Sequence, residues 1–153
     1  MTLQIENASR ELKKVYNILA EDVEAVRAYG KSNPSPFAHR TLFRTYFALV
    51  EGLSYQFRKL ALACAEYKPD LFTKEEIILL KEQKFILSNE GEPVTIHAGF
   101  QKPLPSILFT MRCCAKAYGA SFLPDTNIQI GYTKMKEFIT LRNGLTHPNP
   151  PPT

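Results

Sequence analysis

The stretch Phe37–Tyr67, FAHRTLFRTYFALVEGLSYQFRKLALACAEY, decides the fold. Phe43, Tyr46, Val50, Leu53, Phe57, Leu60 and Cys64 recur by threes and fours without a slip. That is a heptad stripe on one side of a helix, and Leu42, Phe47, Leu49 and Leu62 widen it. A strand would alternate its side chains with a period of two and scatter this set over both faces. The spacing predicts a helix from Phe37 to about Tyr67, stopped before Pro69. A polar stripe runs along the same helix: Arg44, Glu51 and Arg58, each seven apart. It reads as a solvated face, or as a source of binding groups for a site elsewhere in the chain.

The flanking sequence is helical in the same way. Upstream, Leu12, Val15, Tyr16, Leu19, Val23 and Val26 keep helical spacing, with Lys13, Lys14, Glu21, Asp22 and Arg27 on the wet side. This predicts a helix from about Ser9 to Tyr29, ended by Gly30. The run Gly30–Pro36 is then an inter-helix loop. Downstream, Thr73 and Glu76 form a capping box after Asp70. The helix they open is expected to pass through Ile77, Ile78, Leu79, Leu80, Phe85 and Ile86 and to fade at Ser88-Asn89. Glu90-Gly91-Glu92-Pro93 is a turn. Val94, Ile96 and Ala98 alternate with Thr95 and His97, so Pro93–Phe100 reads as extended, a short strand or hairpin insertion around 90–102. Ser106–Tyr118 reads as a mostly buried central helix on which Arg112 and Lys116 share one exposed line, closed by Gly119. The loop Leu123–Asn127, with Asp125 or Thr126 as cap, leads into a last helix.

The expected architecture is therefore all-α, a bundle of about five helices in one domain over residues 1–147. Residues 148–153, rich in proline, form a mobile tail. Hydrophobic residues make up 44% and charged residues 22% of the chain, the balance of an ordinary folded domain rather than a disordered one. The net charge of +4 permits a polyanionic partner without demanding one. No apolar run reaches membrane-spanning length, and the N-terminus lacks the charged-then-apolar pattern of a signal peptide. With three cysteines, an odd number that argues against a disulfide framework, this predicts a cytoplasmic protein with no membrane partner. Cys113 and Cys114 are adjacent, which does not suit a zinc pair, so no metal and no cofactor is expected and all three thiols are assigned to core packing. His39, opening the long helix, and His97, in a loop, are expected at the surface. No Gly-rich phosphate loop or nucleophile elbow is present.

The chemistry concentrates at the end of the last helix, Tyr132–Leu145, running into Arg142-Asn143-Gly144-Leu145-Thr146-His147-Pro148. On a helical wheel Ile128, Tyr132, Met135, Phe138, Ile139 and Leu145 share a side that is expected to be buried, and Lys136, Glu137 and Thr140 lie away from its centre. Arg142, one heptad after Met135, falls near the centre of that apolar side. A guanidinium does not give up its charge, and burying it unpaired costs several kcal/mol. Arg142 therefore calls for an anion: a carboxylate such as Glu51, or a phosphate brought by a substrate. Arg44 or Arg58 is a further candidate to line such a cleft. Pro148 pushes His147 out of helical geometry, so the helix should end at or near Thr146. His147 is then free to turn back toward the Arg142 side or across to a partner chain, with Asn143 between them. The plainer reading is a helix C-terminus, where Arg and His serve the dipole and proline stops the helix.

An Arg followed directly by Asn, then three residues, then His, at the end of an all-helical chain, resembles the signature of HEPN domains. The resemblance implies a small helical bundle that forms a homodimer, with the motif helices of two protomers meeting at a shared cleft. It further implies metal-independent RNA cleavage by 2′-hydroxyl transesterification, in a toxin, defence or stress-response setting, with a cognate antitoxin or regulator protein as a possible partner. On that reading Arg142, Asn143 and His147 are the catalytic set. The alternative is a non-catalytic dimeric helical module that binds a nucleotide, a nucleic acid or a partner protein.

Overall fold

The computed structural model describes residues 3–88, 91–97, 103–122 and 126–146. Among them run five α-helices and one two-stranded sheet: α1 (Leu3–Ser32), α2 (Pro36–Tyr67), a 3-10 turn at Pro69–Leu71, α3 (Lys74–Leu80), β1 (Gln83–Leu87), β2 (Pro93–His97), α4 (Pro103–Ala117) and α5 (Thr126–Thr146). Among the described residues every regular element apart from that hairpin is helical, as the periodicity of the sequence predicts. It groups into two compact units, residues 1–18 with 50–122, and residues 19–49 with 123–153.

In the first unit, two apolar clusters form around the small-residue end of α2. Ala61 and Ala65 pack with Phe72, Leu80 and Cys113, flanked by Ile77 and Phe109. Leu60, Ala63 and Cys64 pack with Ile5, flanked by Ala8 and Leu12. Leu71 and Ala117 touch both clusters. Alanine and cysteine let neighbouring backbones approach α2 on more than one side, so this part of the helix is buried nearly all round. The capping box is present: the Thr73 hydroxyl accepts from the Glu76 N–H at 3.2 Å, and the Glu76 carboxylate accepts from the Thr73 N–H at 2.8 Å. The same carboxylate accepts from Lys116 Nζ at 2.7 Å and so ties α3 to α4. Lys116 also lies over the Phe72 ring. The buried Thr110 hydroxyl is satisfied by donating to the Ser106 carbonyl within α4.

Four expectations change in the first unit. First, α3 stops at Leu80 rather than continuing to Ile86. Lys81 closes its last turn on the carbonyls of Ile77 and Leu79, Glu82 takes a positive φ of 52°, and the chain then enters β1. Phe85 and Ile86 are strand residues opposite Thr95 and Val94. The expected extended segment holds for Pro93–His97, and its partner strand is the piece read as helix; His97 therefore sits in β2 rather than a loop. A run of short apolar segments carries no period that separates strand from helix, and the pairing partner lies across the turn. That turn closes with Ser88 N–H donating to the Glu92 carbonyl and Gly91 at φ +80°. Second, α1 begins at Leu3, six residues before the expected start, because Ile5 and Ala8 extend the apolar line of Leu12. Third, α4 begins at Pro103, since prolines are tolerated in a first turn where no N–H is needed. Fourth, α4 is less buried than expected: Thr110 and Cys113 are fully buried, but Met111 is exposed. Its end matches the expectation. Gly119, at φ +69°, donates to the Lys116 carbonyl and Ala120 to the Ala115 carbonyl, a Schellman closure.

In the second unit, Gly30 lies inside α1 rather than ending it, and the helix runs on to Ser32. A Cβ at Gly30 would stand 3.7 Å from Ala38 Cβ, so α1 and α2 approach closely at that point. The Ser35 hydroxyl accepts from the Ala38 N–H at 3.1 Å and caps α2, with Pro36 at the first helical position. Phe43 meets Phe138 edge to face at 4.8 Å between ring centroids, which joins α2 to α5.

Candidate functional site

Helix α5 spans Thr126–Thr146 and so carries Arg142 and Asn143 in its last turns. The expected stop near Thr146 falls at the edge of the described residues. The Arg142 and Asn143 side chains, and His147 altogether, lie outside the described residues. Upstream of them, Tyr132, Met135 and Ile139 are half-buried, while Thr133, Lys134, Lys136, Glu137 and Thr140 are exposed. The covered line thus runs through Met135 and Ile139, and position 142 continues it at i+7 and i+3. It is covered less deeply than expected. Phe138 remains 42% exposed, since its contact with Phe43 covers only part of the ring, and none of the described α5 side chains is fully buried. The Ile128 and Leu145 side chains lie outside the described residues.

The three members of the polar stripe on α2 take different environments. Arg44 and Glu51 are exposed. Arg58 is not: its side chain retains 14% of its exposure and pairs with Glu82, at the positive-φ turn between α3 and β1. Spacing of seven on one helix did not identify this partner, because Glu82 reaches α2 only through the chain reversal after α3. Burial lowers the Arg58 pKa from its ordinary value, and nearby Tyr55 works in the opposite direction. The guanidinium stays charged, and one of its donors, Nε, is buried without a hydrogen-bond partner, as is Oε1 of the neighbouring Gln56.

The thiols belong to the apolar clusters, Cys64 to one and Cys113 to the other, with Cys114 packed against the latter. Cys64 and Cys113 are buried and Cys114 is half-buried, donating to the Phe57 carbonyl at 3.4 Å. Burial pushes the Cys113 thiol up to about 11 and the Cys114 thiol up to about 12, with neighbouring thiols and Glu76 adding to the effect. Such thiols are protonated near neutrality and poor nucleophiles. His39 is exposed at the start of α2. Among the described residues, no three His, Cys, Asp or Glu side chains gather closely enough to hold a metal ion, and no helix is long and apolar enough to cross a membrane. Compared with known proteins, the chain matches no family model, no curated protein and no solved structure.

Proposed function

We propose that the chain is a metal-independent endoribonuclease of the HEPN type, with Arg142, Asn143 and His147 as its catalytic set. One observation carries the reading: in a mostly helical chain, the covered line of α5 leads to the position of Arg142, and in the sequence Pro148 disfavours helical geometry at His147, five residues on. A fixed cation, a group that titrates near neutrality and an amide are the parts that phosphodiester cleavage without a metal requires.

In the reaction, the ribose 2′-oxygen attacks the adjacent phosphorus. The P–O5′ bond breaks and a 2′,3′-cyclic phosphate forms. His147 takes the 2′-hydroxyl proton or supplies one to the departing 5′-oxygen. Arg142 stabilises the charge that builds on the phosphoryl oxygens, and Asn143 positions the phosphate or the imidazole. A homodimer places two such sets at one cleft, and a toxin of this kind is held in check by an antitoxin or regulator protein.

Incubation of the protein with RNA in EDTA tests the reading. The expected products carry 2′,3′-cyclic phosphate and 5′-hydroxyl ends, and an oligonucleotide with 2′-deoxyribose at the cut position is inert. Products with 5′-phosphate ends would contradict the mechanism. Binding of RNA without cleavage would leave the non-catalytic helical module as the function.

A further inference from the structure

The first unit holds a cavity of about 360 Å³ where α2 faces the turn from α3 into β1. Tyr55, Arg58, Lys59 and Leu62 line it from α2, and Lys81 and Glu82 from the turn. The size suits a small molecule. Its charge is unbalanced: three cations face one carboxylate. Lys59 is exposed and lies 5.4 Å from the centre of the Tyr55 ring, and Lys81 is exposed at the C-terminal cap of α3. Only Arg58 is paired, and its carboxylate comes from Glu82, held at φ 52°. A non-glycine residue in that region is uncommon and carries a backbone cost, which must be offset by what the position places. Here it places a carboxylate on a half-buried guanidinium at the cavity wall.

We propose that this cavity binds a phosphomonoester dianion, with Arg58, Lys59 and Lys81 as its ligands and Glu82 as an internal anion that the phosphoryl group displaces from Arg58. A carboxylate on a guanidinium occupies the position that a phosphoryl oxygen takes in a charge-assisted pair. The two lysines, left over after the Arg58–Glu82 pair, match the two charges of a phosphomonoester. Leu62 offers an apolar wall, and the half-exposed Tyr55 ring a flat face, for the organic part of the ligand.

The test is titration of the full chain, followed by backbone amide NMR, with inorganic phosphate, a nucleoside 5′-monophosphate and the uncharged nucleoside. The proposal expects saturable shifts at residues 55–59 and 81–83 with phosphate and with the monophosphate, and none with the nucleoside. Lys59→Gln/Lys81→Gln, at two exposed positions that the fold does not need, should weaken binding by about tenfold or more. Glu82→Gln removes the competing charge and should tighten it. Absence of saturable shifts, equal binding of the nucleoside, unchanged affinity in the double lysine variant, weaker binding in Glu82→Gln, or shifts confined to the end of α5 would each overturn the assignment.

Discussion

The Glu76 carboxylate closes two structures at once, and dissecting it measures how the α3–α4 corner is held. It returns the capping box to the Thr73 N–H at 2.8 Å and accepts from Lys116 at 2.7 Å. The lysine side chain is 44% exposed and the glutamate 27%, so solvent screens the ion pair and its contribution is about 0.5 kcal/mol. Capping is the larger effect: Thr73→Ala should cost about 1 kcal/mol. Glu76→Gln keeps an acceptor oxygen for the Thr73 N–H and loses only the charge, about 0.5 kcal/mol. Glu76→Ala loses both, about 1–1.5 kcal/mol. The order of stability is therefore parent, Glu76→Gln, Thr73→Ala, Glu76→Ala, read from urea midpoints by circular dichroism with unchanged slope.

The same residue sets a pH dependence. Burial works against the charged form of Glu76, but the hydrogen bonds from Lys116 and the Thr73 N–H outweigh it, so its pKa is held below the ordinary 4.5. A depressed carboxylate stabilises the fold above its unfolded pKa and loses that contribution as pH falls through its folded pKa. The gap between parent and Glu76→Gln should be full at neutral pH and should close as the pH drops through and below 4.5. Equal destabilisation by Glu76→Gln and Glu76→Ala at neutral pH, or a gap that persists in acid, would refute this division of roles.

Two further predictions concern the same unit. Cys113 and Cys114, with thiols raised to about 11 and about 12, should resist Ellman's reagent in the native protein at neutral pH and react at once in denaturant; rapid native labelling of either would place it outside the core. Gly119→Ala meets open space but must adopt φ +69°, so it should destabilise by about 1 kcal/mol through the backbone alone; a neutral result in a thermal melt would show that the α4 terminus relaxes.

The helices were legible where a long apolar stripe or a cap spelled them out. The bounds of α2 follow from its stripe between Pro36 and Pro69, and the start of α3 from Thr73 and Glu76. The stripe did not reveal depth: Tyr46, within it, is exposed, while Ser54 and Gln56, off it, are buried. Further along, the small residues at the end of α2 admit neighbours on several sides, so burial there is not confined to the stripe either. The β1 strand was hidden because its hydrogen-bond partner is non-local, and Glu82 because nothing in a glutamate announces a left-handed backbone. The candidate site was legible as a motif, Arg142-Asn143 with His147. The pairing of Arg58 was not, because its partner is brought by the turn after α3 rather than by any repeat along α2.

The most direct measurement is the single-turnover rate of cleavage of one RNA oligonucleotide in EDTA by the parent, Arg142→Ala and His147→Ala proteins, each with the parent's circular dichroism spectrum. The parent should cleave measurably and each variant should lose about a hundredfold or more in rate, the scale of an acid–base or charge-stabilising group. A parent that does not cleave, or variants that cleave at the parent's rate, would rule out Arg142 and His147 as the catalytic pair.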